Sequence, residues 1–165
     1  MENTLHTNES LLVEKVSYHF KQPSRYDIIV FYPYGKNGDE VPESMKDQLE
    51  IDTTASGDQE EDSELYVKRV FGLPGEKIQI IGNDIYVNDK KIDDPYAKNA
   101  MKDGDAGVAS EPITLGEDEY FVLGDDRQNS EDSRNANVGN VKYSYIYGKA
   151  WFVISPKTHF GFVKE

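Results

Sequence analysis

The chain has 165 residues, with 31 Asp and Glu against 18 Lys and Arg, and a formal net charge of −13. That length supports one domain, or a small core with a subdomain, and the charge argues against a nucleic-acid partner. With no Cys there is neither a disulfide framework nor a thiol nucleophile, and three scattered His give no spaced ligand set for a metal.

The apolar residues fall in short runs rich in Val, Ile and aromatics, with eleven Tyr and seven Phe, which predicts a mainly β fold. Strands are expected over 10–18 and 27–32. Residues 36–64 interrupt them with eleven acidic residues against two lysines, a net of −9, and few large apolar side chains. This stretch reads as an acidic flexible insert, with a short helix over 42–49. The next strand, 66–71, carries Lys68 inside an apolar run that ends in the turn Leu73-Pro74-Gly75-Glu76. Lysine in such a place either snorkels to water or is buried, and the neutral amine of a buried lysine can act as a general base. Taken alone, an exposed edge residue is the commoner reading. Two hairpins follow, 77–81 with 84–87 around Gly82-Asn83, then 90–92 after Asn88-Asp89. Residues 93–119 look irregular, 119–123 is a strand, and 145–154 is the last strand, with the single Trp. No stretch approaches the roughly 20 apolar residues of a membrane-spanning helix, and no signal peptide is visible.

The densest chemistry is at 124–134, Gly-Asp-Asp-Arg-Gln-Asn-Ser-Glu-Asp-Ser-Arg, directly after the apolar strand. A strand ending in Gly and then a polar loop is how a sheet presents fixed side chains at a site's rim. Ser130, Asp132 and Arg134 alternate, so in extended backbone all three would face one way, a hydroxyl beside a carboxylate–guanidinium pair. The bland alternative is a solvated turn with a surface ion pair.

The Lys68 segment and the 124–134 loop together resemble two signature blocks of type I signal peptidases, membrane-bound serine endopeptidases that release signal peptides from exported proteins. Residues 8–32 are similar to the strand-rich block that follows the nucleophile in that family. The resemblance implies a signal-peptidase-like catalytic β core over 1–75 and 119–165, with a small inserted β subdomain over 76–118. It implies Lys68 as general base, Ser130 as the hydroxyl that orients it, and Asp125, Arg127, Asp132 and Arg134 as structural support. It implies no cofactor and no metal. Its partners would be exported preproteins bound as extended strands, with the strand leading to Lys68 as the cleft edge, on the extracytoplasmic face of a Gram-positive membrane through an N-terminal anchor.

The family's serine lies in a Ser-Met-x-Pro-Thr-Leu motif. Met1-Glu2-Asn3-Thr4-Leu5 fits it from the second position, so the nucleophile would precede Met1 and the chain as it stands would be inactive; Met1 would line the substrate cleft. Either the serine was removed with the anchor or the natural protein never had it, and Asn3 departs from the family's proline. Ser44-Met45 imitates the pair without the residues that follow. Ser10, Ser17 and Ser24 belong to the first strand block and read as solvent-facing or turn-capping. The absent serine, Asn3 and the acidic insert support a second reading, a non-catalytic assembly factor for surface pilus proteins with pilin subunits as partners. The residue encoded before Met1 separates the two. A self-cleaving repressor-type Ser/Lys protease would also need a DNA-binding domain, which the sequence lacks.

Overall fold

A computed structural model describes residues 10–15, 18, 20–33, 65–102, 105–156 and 160–163. Met1, Ser17, Ser44, the helix expected over 42–49 and the acidic insert lie outside them. The strands are β1 (Ser10–Glu14), β2 (Ile28–Phe31), β3 (Tyr66–Gly72), β4 (Lys77–Ile81), β5 (Asp84–Val87), β6 (Lys90–Lys91), β7 (Ile113–Thr114), β8 (Glu119–Leu123), β9 (Val141–Lys142), β10 (Ile146–Ser155) and β11 (Gly161–Phe162). Ladders between them are antiparallel throughout.

The larger sheet runs β1-β10-β2-β3-β8-β9, with β11 on β10. Its centre is β2, whose four residues are all buried. Strand alternation sends Ile28 and Val30 to a cluster with Ala150, Val153 and Val163 on one face. Ile29 and Phe31 point to the other face, with Val70, Tyr120, Val122, Val138 and Val141. A strand covered on both sides loses the alternating polar residues of a half-exposed one, which is why 28–31 reads as an unbroken apolar run.

The smaller sheet, β6-β5-β4-β7, comes from residues 77–114, and among the described residues it is covered on one side. Ile78, Ile80, Ile85 and Val87 are buried, while Ile81 is exposed. Their partners are Phe71, Phe121 and Leu123 from the larger sheet, so one core joins the two. Gly72 sits at the crossing. A Cβ there would lie 2.7 Å from Leu115 Cδ1, 2.8 Å from Phe121 Cβ and 2.9 Å from Ile78 Cδ1, and only the missing side chain lets the layers approach.

Strands β4, β5 and β8 have the bounds expected from the sequence. Gly82, with φ +62, opens the two-residue β4–β5 turn, and Asn88 and Asp89 both have positive φ, as the next tight hairpin requires. β1 stops at Glu14, short of residue 18, and residues 93–119 contain a 3-10 turn (Gly107–Ser110) and β7. The two-residue strands β7, β9 and β11 are too short to carry a periodicity in the sequence.

Candidate active site

Lys68 lies in β3, in register with Ile29 of β2, and is half-buried. On the other side β8 pairs with β3 from Arg69↔Leu123 onward, so Gly124 falls opposite Lys68 where the chain leaves the sheet. The strand expected as a cleft edge is therefore interior from Arg69 on. For Tyr66 to Lys68 the paired strand among the described residues is β2.

Gly124 is where the two sequence segments meet. A Cβ on it would lie 2.0 Å from Ser130 Oγ and 3.7 Å from Lys68 Cδ. The volume a side chain would need is taken by the serine hydroxyl, with the lysine stem alongside. Ser130 Oγ is buried and has no hydrogen-bond partner among the described residues. Burying a hydroxyl unsatisfied is unfavourable, so the Ser130 hydroxyl carries a cost that needs an explanation. The Lys68 amine stands 5.3 Å from the centroid of the Tyr66 ring, within cation–π range.

The 124–134 loop is a series of turns, not an extended strand. Ser130, Asp132 and Arg134 consequently do not share one face. Ser130 turns to Gly124, whereas Asp132 and Arg134 face each other. Arg134 Nε donates to Asp132 Oδ1 at 2.8 Å and Nη2 to Oδ2 at 3.0 Å. The Gly124 amide donates to Asp132 Oδ2 at 3.0 Å. Ser133 takes the place of a strand residue, accepting from the Val122 amide through Oγ at 3.0 Å and donating its own amide to the Val122 carbonyl at 3.1 Å. The loop is thus fastened to the end of β8 by the residues that directly follow Ser130.

Asp125 and Arg127, expected to serve one framework with Asp132 and Arg134, have separate partners. Asp125 forms a bidentate pair with Arg69, Nε–Oδ1 3.0 Å and Nη2–Oδ2 2.9 Å, with both side chains fully buried. Arg69 also donates to the Tyr26 carbonyl at 3.0 Å and stacks on Tyr96 at 3.7 Å. Arg127 pairs with Asp94 and donates Nε to the Gly124 carbonyl at 2.8 Å. Arg134 reaches Asp105 at 2.9 Å as well. Burial works against the Arg134 charge, but the hydrogen bonds and charges of Asp132 and Asp105 outweigh it and raise its pKa. The hydrogen bond from Asn129 holds the Asp126 carboxyl below the usual carboxylate range, against the opposing pull of burial.

Arg69, Asp94 and Asp105 were not foreseen from the sequence. For Arg69 a signal existed: residues 124–134 hold four acids and only two arginines, so a cation had to come from elsewhere, and Arg69 follows Lys68 in an apolar strand. Asp94 and Asp105 carry no local mark, because their pairing depends on contacts with Arg127 and Arg134 far along the chain. Of the other serines, Ser10 is exposed in β1, and Ser24 lies in a turn capped by Asp27, its amide donating to Asp27 Oδ2 at 3.0 Å and its carbonyl accepting from the Asp27 amide at 3.1 Å. Among the described residues, no group of three or more His, Asp or Glu could hold a metal ion, and no helix is long and apolar enough to cross a membrane.

The chain matches the family model "Signal peptidase, peptidase S26" over residues 1–155. It is 32% identical over 162 residues to signal peptidase I S of Bacillus subtilis, covering 94% of this chain and 72% of that protein. It is 37% identical over 147 residues to signal peptidase I of Leptolyngbya laminosa, covering 89% of this chain and 60% of that one. The crystal structure of a signal peptidase I from Enterococcus faecalis is similar with a TM-score of 0.51 and 26% identity, covering 78% of this chain and 97% of the other. By its sequence over nearly its full length and by its mainly β architecture, the chain belongs to the signal peptidase family, peptidase S26.

Proposed function

We propose that this chain carries the lysine half of a Ser/Lys catalytic dyad in a signal peptidase I, a serine endopeptidase acting on exported preproteins at the extracytoplasmic face of a membrane. Family membership makes signal-peptide removal the general reaction. The observation that carries the finer reading is the convergence at Gly124, where Lys68 and the buried, unpartnered hydroxyl of Ser130 come together. A general base needs its amine held in one orientation, and a hydroxyl that donates to the nitrogen or accepts from it can do that in either protonation state.

In this reading the nucleophile is a serine hydroxyl one residue ahead of Met1, as in the family motif. Its oxygen attacks the substrate carbonyl while Lys68 takes the hydroxyl proton. Collapse of the tetrahedral intermediate breaks the C–N bond, and Lys68 returns the proton to the leaving amine. Water then attacks the acyl-enzyme with Lys68 again as base, releasing the acid and the serine. Ser130 holds the Lys68 amine in line. The arginine pairs keep Ser130 at Gly124, and that is the role proposed for Asp125, Arg127, Asp132 and Arg134.

The test is cleavage of a signal-peptide substrate by the chain extended with its native preceding residues, with and without Lys68→Ala. Cleavage that vanishes with Lys68→Ala, while the chain beginning at Met1 stays inactive, is the expected result. A folded, extended protein that does not cleave, or a residue other than serine at that position, would overturn it in favour of the binding or assembly role.

A further inference from the structure

The loop beside Lys68 carries four acids, and three have a cation. Asp125 has Arg69, Asp132 has Arg134, and Asp126 lies 3.9 Å from Lys98. Glu131 has none among the described residues. Its carboxylate accepts from two neutral donors, the Tyr66 hydroxyl at 3.2 Å through Oε2 and the Asn135 amide at 3.4 Å through Oε1. Neutral donors hold a carboxylate in place without cancelling its charge. Glu131 is exposed and is bonded to Ser130, and the Tyr66 ring that it grips is the one over which the Lys68 amine stands. An uncancelled negative charge is therefore fixed at the rim, one aromatic ring away from the amine.

We infer that Glu131, held by Tyr66, is a specificity-determining residue that selects substrates by charge: the cleft takes peptides whose residues beside the bond to be cut are neutral or basic and disfavours acidic ones. The inference rests on the peptidase reading and deepens it by naming a class of substrate. The charge acts locally. The whole chain is at −13, so neutralising one carboxylate barely alters the long-range field, whereas a substrate carboxylate within a few ångströms feels it directly.

The test is binding of labelled peptides, identical except for Asp, Asn or Lys beside a small residue, to this chain and to Glu131→Gln, Glu131→Lys and Tyr66→Phe. The chain binds the Asn and Lys peptides about three- to tenfold more tightly than the Asp peptide, and the ratio shrinks with added salt. Glu131→Gln abolishes the preference, Glu131→Lys reverses it, and Tyr66→Phe, which unties the carboxylate, weakens it. Glu131→Gln retaining the original ranking would overturn the selector and leave the peptidase reading intact. Failure of every peptide to bind every variant, together with no cleavage by the extended protein, would overturn both.

Discussion

Gly124 has no side chain because the Ser130 hydroxyl occupies the place of one. Its backbone is not in the left-handed region, so Gly124→Ala tests the steric role alone. The methyl group would meet Ser130 Oγ at 2.0 Å and displace it from its place beside Gly124. The expected outcome is a loss of about 10²-fold in cleavage by the extended protein, the scale set by ångström misplacement of a positioning group, with a melting temperature lowered far less than for a broken core. A second residue-scale case is Tyr120, fully buried with a hydroxyl that has no partner among the described residues. Burial, then the nearby Tyr143 and Asp118, push its pKa up to about 12. Since the unfolded tyrosine ionises near 10, the protonated folded form is favoured below that, and stability is lost as pH rises from about 10 to about 12. Tyr120→Phe removes both features. It should gain about 1 kcal/mol, a rise of roughly 2–4 °C in melting temperature, and flatten the alkaline limb, as calorimetry at pH 8 and pH 11 would read.

At the scale of the element, the 124–134 loop is held from outside by three arginine pairs, besides the Asp132–Arg134 pair within it. Arg69 ties it to β3, while Asp94 and Asp105 tie it to the segment that covers it. Asp125→Ala strands a fully buried guanidinium and should cost about 3–5 kcal/mol in urea unfolding, whereas replacing Arg69 and Asp125 together by apolar residues of similar volume should recover most of that. Asp94→Ala strands the buried Arg127 guanidinium in the same way, but Asp94 itself keeps some exposure and the cost should be somewhat smaller. The sequence announces the chemistry here but not the wiring. Spacing within 124–134 marks Ser130, Asp132 and Arg134, and the apolar frame around Lys68 marks the lysine. Which acid meets which arginine is settled by contacts between residues 33 and 56 positions apart, for which a single sequence holds no pattern. Side-chain alternation does not carry through this loop for a related reason: it needs extended backbone, and turns break the period at Ser130.

For the whole molecule, the two sheets share one interior. Phe71, Phe121 and Leu123 of the larger sheet are covered by Ile78, Ile80 and Ile85 of the smaller. Strand identity was legible from alternation and turn residues, because those are local. The join was not, because Phe71 and Phe121 read as ordinary strand residues until a second layer lies on them. Phe31 and Tyr66 are paired in the ladder, so the 34 residues from Tyr32 to Leu65 leave and re-enter at neighbouring positions. Joining Pro33 to Leu65 by a short turn lowers the entropy cost of closing β2 on β3, and an unchanged urea slope would show that the ladder survives. Two chain ends hydrogen-bonded side by side also make a docking port for engineering. A foreign domain whose termini lie about 5 Å apart could be spliced between Tyr32 and Leu65, tethered to the strand that carries the lysine, without asking β2 or β3 to move.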